Sequence, residues 1–438
     1  MASASRKRPS LSLPLEPLLG LLLALPVGVA ALALVQEGYL SHANAAYLGK
    51  VYTALDRGKL ETLGFSYPPL PLLLLLPWPS PWAPAVLGAL ALGLGFGLLL
   101  TEARRRSEPL LLVLFAGFLL SPAPFYLVAE DLAQTLGLVF LWWAWTFYRR
   151  WLDEGLSFHL FASGLVLGAA VYTTPIALPL GLFFALGLGL FRRLEPPAWA
   201  AASLVLLFPL LSTLFAWGYL SWTFTGETAF LYAALPKETP SLGTVLLASP
   251  AYLGMGLLIL LRPRASFLLY PVPLLLFLAL PPLGFGYTLP LAVGLLFLFA
   301  LGGLPRLALG PRIRAVGLGL ALLQAALGWA LLPSPEPPPD ALERAIGQAL
   351  AQAPPRSILA DDRESYRLLA WAGTARPFLL PPDAGFTLAL SAPSLYVDRV
   401  LVCPGAGALY RRYGEDDPPG FREVWRYKGC RLLERRPS

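Results

Sequence analysis

The sequence predicts a polytopic α-helical membrane protein with a small α/β domain outside the membrane, and three observations predict it. Of 438 residues, 56% are hydrophobic and 13% charged, about half the charged fraction of a soluble domain, and mean hydropathy is +0.63. Apolar stretches long enough to cross a bilayer recur from residue 11 to residue 332. From a proline-rich run at 333–339 onward, the residues have 14 basic and 13 acidic side chains, an ordinary soluble composition. These totals exclude a soluble enzyme, a disordered tail protein and a fibrous repeat.

The first apolar stretch, 11–36, follows Arg6, Lys7 and Arg8. It has the layout of a signal peptide, but its length and the ten apolar stretches behind it favour a retained span. The others lie near 82–101, 109–128, 132–148, 157–172, 175–191, 198–220, 243–261, 265–284, 287–304 and 314–332, which makes about eleven transmembrane helices. Basic clusters fall in alternate loops: 6–8, 104–106, 149–150, 192–193, Arg262 with Arg264, and Arg306 with Arg312 and Arg314. These six loops hold 15 of the 19 basic residues before position 333. Positive charge stays cytoplasmic, so the amino terminus is expected inside and the carboxyl terminus outside, in the cell (inner) membrane. The net charge of +7 therefore reports topology, and no nucleic-acid partner is expected.

Two spans look divided. Tyr172, Thr173, Thr174 and Pro175 interrupt an apolar stretch, and the run 68–84 holds too many prolines for one regular helix. Such backbone is tolerated at membrane depth only inside protein or beside a wet cavity.

The organisation expected is a membrane domain over 1–332 with a first outer loop at 37–69, a stiff linker at 333–339, and an extracytoplasmic α/β domain over 340–438. The first outer loop is polar and aromatic. Within it, 43–55 has the spacing of a short amphipathic helix lying on the membrane surface. In the last domain, Asp340 should start a helix over 340–353. Strands are expected at 357–360 and 399–403, a hairpin at 421–427 and 431–434 around Lys428 and Gly429, and helices at 363–372 and 405–413. Cys403 and Cys430 are either a disulfide or buried thiols, and the sequence leaves both readings open.

No phosphate-cradling loop, zinc spacing, nucleophile elbow or dinucleotide fingerprint occurs. The candidate chemistry is carboxylates at the outer ends of spans: Glu37 where the first emerges, and Glu130 with Asp131 between the third and fourth. Such groups act as general bases toward a hydroxyl, or hold a divalent metal that gathers phosphate oxygens. Glu130 and Asp131 are the candidate metal ligands. Arg57 and Lys59 are placed to attract a lipid phosphate.

The whole-chain layout resembles the GT-C membrane glycosyltransferases, which include the protein O-mannosyltransferases and the lipid A aminoarabinose transferases. The resemblance rests on Asn44 to Tyr47, Asp56 to Leu60 and Tyr67-Pro68-Pro69-Leu70 in the first loop. Thr173-Thr174-Pro175 and Tyr287-Thr288-Leu289-Pro290 add to it. It implies transfer of a sugar from a polyprenyl-phosphate donor to a glycan, lipid or protein acceptor on the extracytoplasmic side, with inversion at the anomeric carbon. It also implies a first-loop carboxylate that assists the acceptor and cations that hold the lipid phosphate. The position most like that carboxylate is Asn44, so Glu37 is the expected base, with Glu130 and Asp131 next. His42, Asn44, Tyr47, Arg57, Lys59, Tyr67 and Thr174 are the expected substrate contacts. A catalytically inactive scaffold for envelope assembly is the alternative reading, and a transporter is a weaker one.

Overall fold

A computed structural model describes residues 15–59, 68–106, 109–192, 194–226, 239–260, 270–283, 285–303, 311–332 and 338–436. The basic cluster 6–8, Tyr67, the loop 227–238 and the first part of the linker, 333–337, lie outside the described residues.

Helices α1 (Leu15–Gln36), α4 (Ala83–Arg106), α7 (Leu132–Glu154), α8 (Ser157–Val171), α9 (Ala177–Arg192), α10 (Pro196–Thr225), α14 (Leu289–Gly303) and α15 (Pro311–Leu331) coincide with apolar stretches of the sequence. Among the described residues, three helices are long and apolar enough to cross a membrane by themselves: α1, α4 and α10. A fourth is gained if α5 (Pro109–Leu120) and α6 (Ala123–Glu130) form one broken span. That pair was expected to be continuous over 109–128. It bends by 56° because Pro122 follows Ser121 and removes a helical hydrogen bond.

The bundle packs as membrane helices do, through small residues and aromatic cores. On α1 and α4, a Cβ on Gly20 would lie 2.3 Å from the Gly93 carbonyl oxygen and the Gly97 nitrogen, so the two backbones touch. Leu18, Leu22, Leu25 and Val29 on α1 and Leu204, Phe208, Leu211 and Phe215 on α10 point outward, as lipid-facing side chains do. Inside, Trp142 is fully buried against Phe96, Phe118 and Phe297 and donates to the Gly294 carbonyl at 3.1 Å.

The proline-rich run 68–84 divides as expected into a short α3 (Pro69–Leu75), turns, and the start of α4. The break at 172–176 separates α8 from α9. The two breaks meet: Leu70 N–H donates to the Tyr172 carbonyl at 3.1 Å. Irregular backbone from one interruption thereby satisfies the other, which a proline-rich run could not do alone.

Helix α2 (His42–Arg57) is capped by Ser41, whose hydroxyl accepts from Asn44 N–H at 3.2 Å, and it ends at Gly58 in the left-handed region. It was expected to lie on the open membrane surface. Instead Ala45, Leu48, Val51 and Tyr52 are buried, because the C-terminal domain covers it. Gly49 allows this: a Cβ there would sit 2.9 Å from Leu369 of α17 (Tyr366–Ala372).

The C-terminal region opens with α16 (Ala341–Leu350). Asp340 caps it, accepting from Leu342 N–H at 3.1 Å and Glu343 N–H at 3.0 Å. Five strands follow: β1 (Ile358–Ala360), β2 (Phe378–Leu379), β3 (Arg399–Val402), β4 (Phe421–Tyr427) and β5 (Cys430–Arg435), in the order β2-β1-β3-β5-β4. The first three run parallel, and the β4–β5 hairpin is antiparallel. Strand β2 was not expected; its two residues are too few to carry a periodic signal. Helices α18 (Phe386–Ser391), α19 (Pro393–Tyr396) and α20 (Ala408–Tyr413) complete the layer.

Cys403 and Cys430 form a disulfide, joining the end of β3 to the start of β5. They lie 27 residues apart, so the bridge removes loop entropy from the unfolded domain. Cys403→Ser with Cys430→Ser is expected to cost the domain about 2–4 kcal/mol. Faster limited proteolysis after residue 340 in the purified full chain would register it; an unchanged rate would refute it.

Candidate functional site

Four of the site candidates, Asn44, Tyr47, Glu130 and Asp131, gather where α2 meets the break between α6 and α7. Asp131 caps α7: its Oδ1 accepts from Ala133 N–H at 2.8 Å and from Gln134 N–H at 3.3 Å. Its Oδ2 accepts from the Gln134 side-chain amide at 3.0 Å. The residues 131–134 thus form a capping arrangement, Asp at the cap and Gln three positions on. Tyr47 of α2 adds a further bond, its hydroxyl donating to Asp131 Oδ1 at 3.1 Å. Gln134 in turn accepts from the Thr288 hydroxyl. Three stretches far apart in sequence are thereby joined at one corner: Tyr47 of the first outer loop bonds Asp131 directly, and Thr288 of the 287–290 motif reaches it through Gln134.

Asn44 does different work from a base. Buried at 2% exposure, it donates to the Ala129 carbonyl at 3.1 Å and accepts Leu132 N–H at 3.0 Å. Its amide spans the gap where the helix is interrupted and satisfies backbone groups on both sides, which needs a donor and an acceptor at once. An aspartate in its place could only accept. Ser41 closes the same junction by donating to the Glu130 carbonyl.

Glu130 is half-buried beside Tyr39. The Tyr39 hydroxyl is buried and has no hydrogen-bond partner among the described residues. Burial, aided by the nearby Glu130 carboxylate, pushes its phenol well above the ordinary value. Glu37 is exposed at the turn after α1, away from the hydrogen bonds that gather Asp131. Lys59 is exposed one residue beyond the α2 cap. Thr174 is 3% exposed and packs at the α8–α9 break, where it leaves room only for Gly137 on α7.

Arg57 requires a correction. It was expected to attract lipid phosphate, but its guanidinium forks onto Asp383 of the C-terminal domain, Nε to Oδ1 at 2.5 Å and Nη2 to Oδ2 at 2.7 Å. It also donates to the Phe378 carbonyl at 2.7 Å. With both side chains buried, all of its planar donor geometry is committed to docking the domain. Asp56 beside it accepts from Ala375 N–H at 2.6 Å and the Thr374 hydroxyl at 2.7 Å. His42, at the other end of α2, hydrogen-bonds Tyr366.

The domain is also tied to the top of α1. Asp340 N–H donates to the Gly38 carbonyl at 3.3 Å, and Arg344 to the Gln36 carbonyl at 3.1 Å. Gly38 sits at φ +95°, and a Cβ there would meet the Asp340 backbone at 2.6 Å, so only glycine fits. Burial opposes ionisation of Asp340, yet Lys428, the Tyr427 hydroxyl and Glu343 N–H outweigh it and hold its carboxyl at about 2. A depressed carboxyl stabilises the fold above its unfolded value and loses that contribution as pH falls toward 2. With Lys428 partly exposed and screened, about 1–2 kcal/mol is at stake. Asp340→Asn is expected to lower the melting temperature at pH 6 and to flatten its fall between about pH 4 and 2. A variant that melts like the parent at both pH values would refute this.

No three His, Cys, Asp or Glu side chains among the described residues group to hold a metal ion. Glu130 and Asp131 are thus not joined by a third ligand there, and the bonds to Asp131 occupy both of its oxygens. Among the described residues, Glu130 and Asp131 alone are too few donors for a divalent ion.

The fold is that of a polytopic helical membrane protein whose first inter-helix segment is clasped by a C-terminal α/β domain. It is shared with ArnT from Cupriavidus metallidurans, whose crystal structure was determined bound to undecaprenyl phosphate. The two superpose with a TM-score of 0.58 at 13% identity, over 95% of this chain and 97% of that one. No protein-family profile matches the sequence, and no curated protein matches it.

Sequence reasoning missed Gln134, Tyr39 and Asp383. Gln134 had a signal, since Asp131-Leu132-Ala133-Gln134 reads as a capping box. Tyr39 and Asp383 had none, because their roles come from contacts distant in sequence.

Proposed function

We propose that the chain is a GT-C-type glycosyltransferase that moves a sugar from a polyprenyl-phosphate carrier to an acceptor hydroxyl on the extracytoplasmic side, with eleven spans, the amino terminus inside and the C-terminal domain outside. The observation that carries the reading is the convergence of Tyr47 and Gln134 on Asp131, next to Glu130, with Thr288 joined to the same corner through Gln134. The fold it shares with ArnT, crystallised with undecaprenyl phosphate, supports the lipid carrier.

In this reading Glu130 is the general base and Asp131 the group that positions it. The oxygens of Asp131 already accept four hydrogen bonds, which commit the carboxylate to holding the α6–α7 corner. Glu130 takes the proton of the acceptor hydroxyl as that oxygen attacks the anomeric carbon. The bond from that carbon to the phosphate oxygen breaks, and polyprenyl phosphate leaves with the bonding electrons. Lys59 receives the phosphate charge in place of Arg57. Glu37 is the second candidate base.

The test is reconstitution of the full chain in lipid vesicles with radiolabelled polyprenyl-phosphate sugars. Release of polyprenyl phosphate that depends on the chain supports transfer. Intact donor across hexose, pentose and aminopentose carriers, alongside co-purification of an envelope complex, would favour the scaffold reading instead.

A further inference from the structure

The C-terminal sheet has a topological switch point. The chain leaves β1 through α17 for β2 on one side, then returns to place β3 on the other side of β1. The loops after β1 and β3 therefore diverge, and open parallel sheets bind ligands in the crevice this leaves at the carboxyl ends of the strands. Here the crevice holds a cavity of about 460 Å³, within the range of small-molecule sites.

Its walls come from three places. The loop after β1 brings Arg363 and Glu364, and the start of α17 brings Arg367; the loop after β3 brings Gly405 and Gly407; the β4–β5 turn brings Lys428. The Cys403–Cys430 bridge ties the last two together. His42 and Tyr366 close the side toward α2. The glycines leave room for the Glu364 carboxylate: a Cβ on Gly405 would lie 2.3 Å from Glu364 Oε1, and one on Gly407 would lie 2.7 Å from it.

Two wall residues hold buried polar atoms without a hydrogen-bond partner among the described residues. Glu364 Oε1 accepts Gly407 N–H, but Oε2 is buried without a partner. Arg367, 8% exposed, spends an Nη on Glu343, and its Nε has no partner. Buried orphans of this kind are rare and call for an explanation. One is an acceptor and the other a donor. The wall charges are likewise mixed, with Arg363, Arg367 and Lys428 against Glu343 and Glu364. A simple anion would meet two carboxylates, and a simple cation three basic groups. Hydroxyl groups both donate and accept, so a polyhydroxylated ligand satisfies both orphans.

We propose that this crevice binds a saccharide unit through its hydroxyls. The proposal stands apart from the transferase reading, because no step of that reaction uses the crevice, and a sugar-binding scaffold would carry it equally.

The test uses the full chain in detergent micelles, probed by saturation-transfer NMR with methyl glycosides of a neutral hexose, an N-acetylhexosamine, an aminopentose and a hexuronic acid. Inorganic phosphate serves as the simple-anion comparison. At least one glycoside is expected to bind, and Glu364→Gln to weaken it about tenfold, the loss of one hydrogen bond to a charged group. Arg363→Ala, at an exposed position with little risk to folding, is expected to weaken it severalfold at an unchanged melting temperature. The proposal is overturned if no glycoside binds at millimolar concentration, if phosphate binds and the glycosides do not, or if binding survives Arg363→Ala and a folded Glu364→Gln unchanged. These outcomes are independent of donor turnover, so failure here would not touch the transfer reading.

Discussion

Glu130→Gln is expected to lower sugar transfer about 10²–10⁴-fold, the usual contribution of a positioned general base, with little change in stability. The residue is half-buried at the end of α6, and its backbone carbonyl, not its side chain, accepts from Ser41. The swap therefore removes the proton acceptor and leaves the corner built. Asp131→Asn separates two roles that the carboxylate combines. Asparagine caps helices about as well as aspartate, so the start of α7 should hold, while the charge near Glu130 is lost. A fall in transfer of about tenfold or more at unchanged melting temperature would assign Asp131 an electrostatic share. An unchanged rate in Asp131→Asn would leave it a cap alone. If Glu130→Gln and Glu37→Gln both retain full transfer, the base assignment is wrong. Initial rates of polyprenyl phosphate release, at saturating and limiting donor, make the comparison.

Arg57→Ala is expected to have the largest effect on stability. Removing one partner of a buried pair leaves an uncompensated charge and costs about 3–5 kcal/mol. Here it strands the Asp383 carboxylate and takes a donor from the Phe378 carbonyl. Asp383→Ala should be comparably severe, since Asp383 also accepts Leu380 N–H at 2.9 Å. The joint replacement Arg57→Met with Asp383→Leu should recover much of the loss, because an apolar pair carries no stranded charge. Were Arg57 instead a phosphate ligand, Arg57→Ala would weaken donor binding and spare thermal stability. Melting temperature and donor affinity, measured on the same preparations, separate the outcomes.

Much of the apolar helical part of the fold was legible because it follows from composition: many apolar stretches between Arg clusters coincide with helices. Three of the described helices are long and apolar enough to span by themselves, however, and the stretches at 109–128 and 243–261 each divide in two. The C-terminal strands and the Asp340 cap were legible for a similar reason, as alternation and capping are local. The bend at Ser121–Pro122 was passed over because apolar residues continue on both sides and hydropathy does not register a missing hydrogen bond. Part of the site was legible as well. Tyr47, Asn44, Asp131 and the 287–290 motif were all singled out, although how they connect was not. Asn44 looked like a substituted base and serves as a bridge between two backbone ends. Arg57 looked like a phosphate receiver because its partner lies 326 residues away, beyond the reach of any spacing argument.

Helix α2 is fastened at its first residue to Tyr366, at its middle to Asp131 and at its last two residues to the 374–383 segment. A polar loop between two spans is usually the part of such a protein that opens most easily. Here it is splinted from both faces, so its amide protons can exchange only when the domain lets go, and the two open as one cooperative unit. If Glu130 is the base of a transferase, an acceptor would reach it sideways, between helices from the bilayer, or after a rearrangement as large as the domain itself.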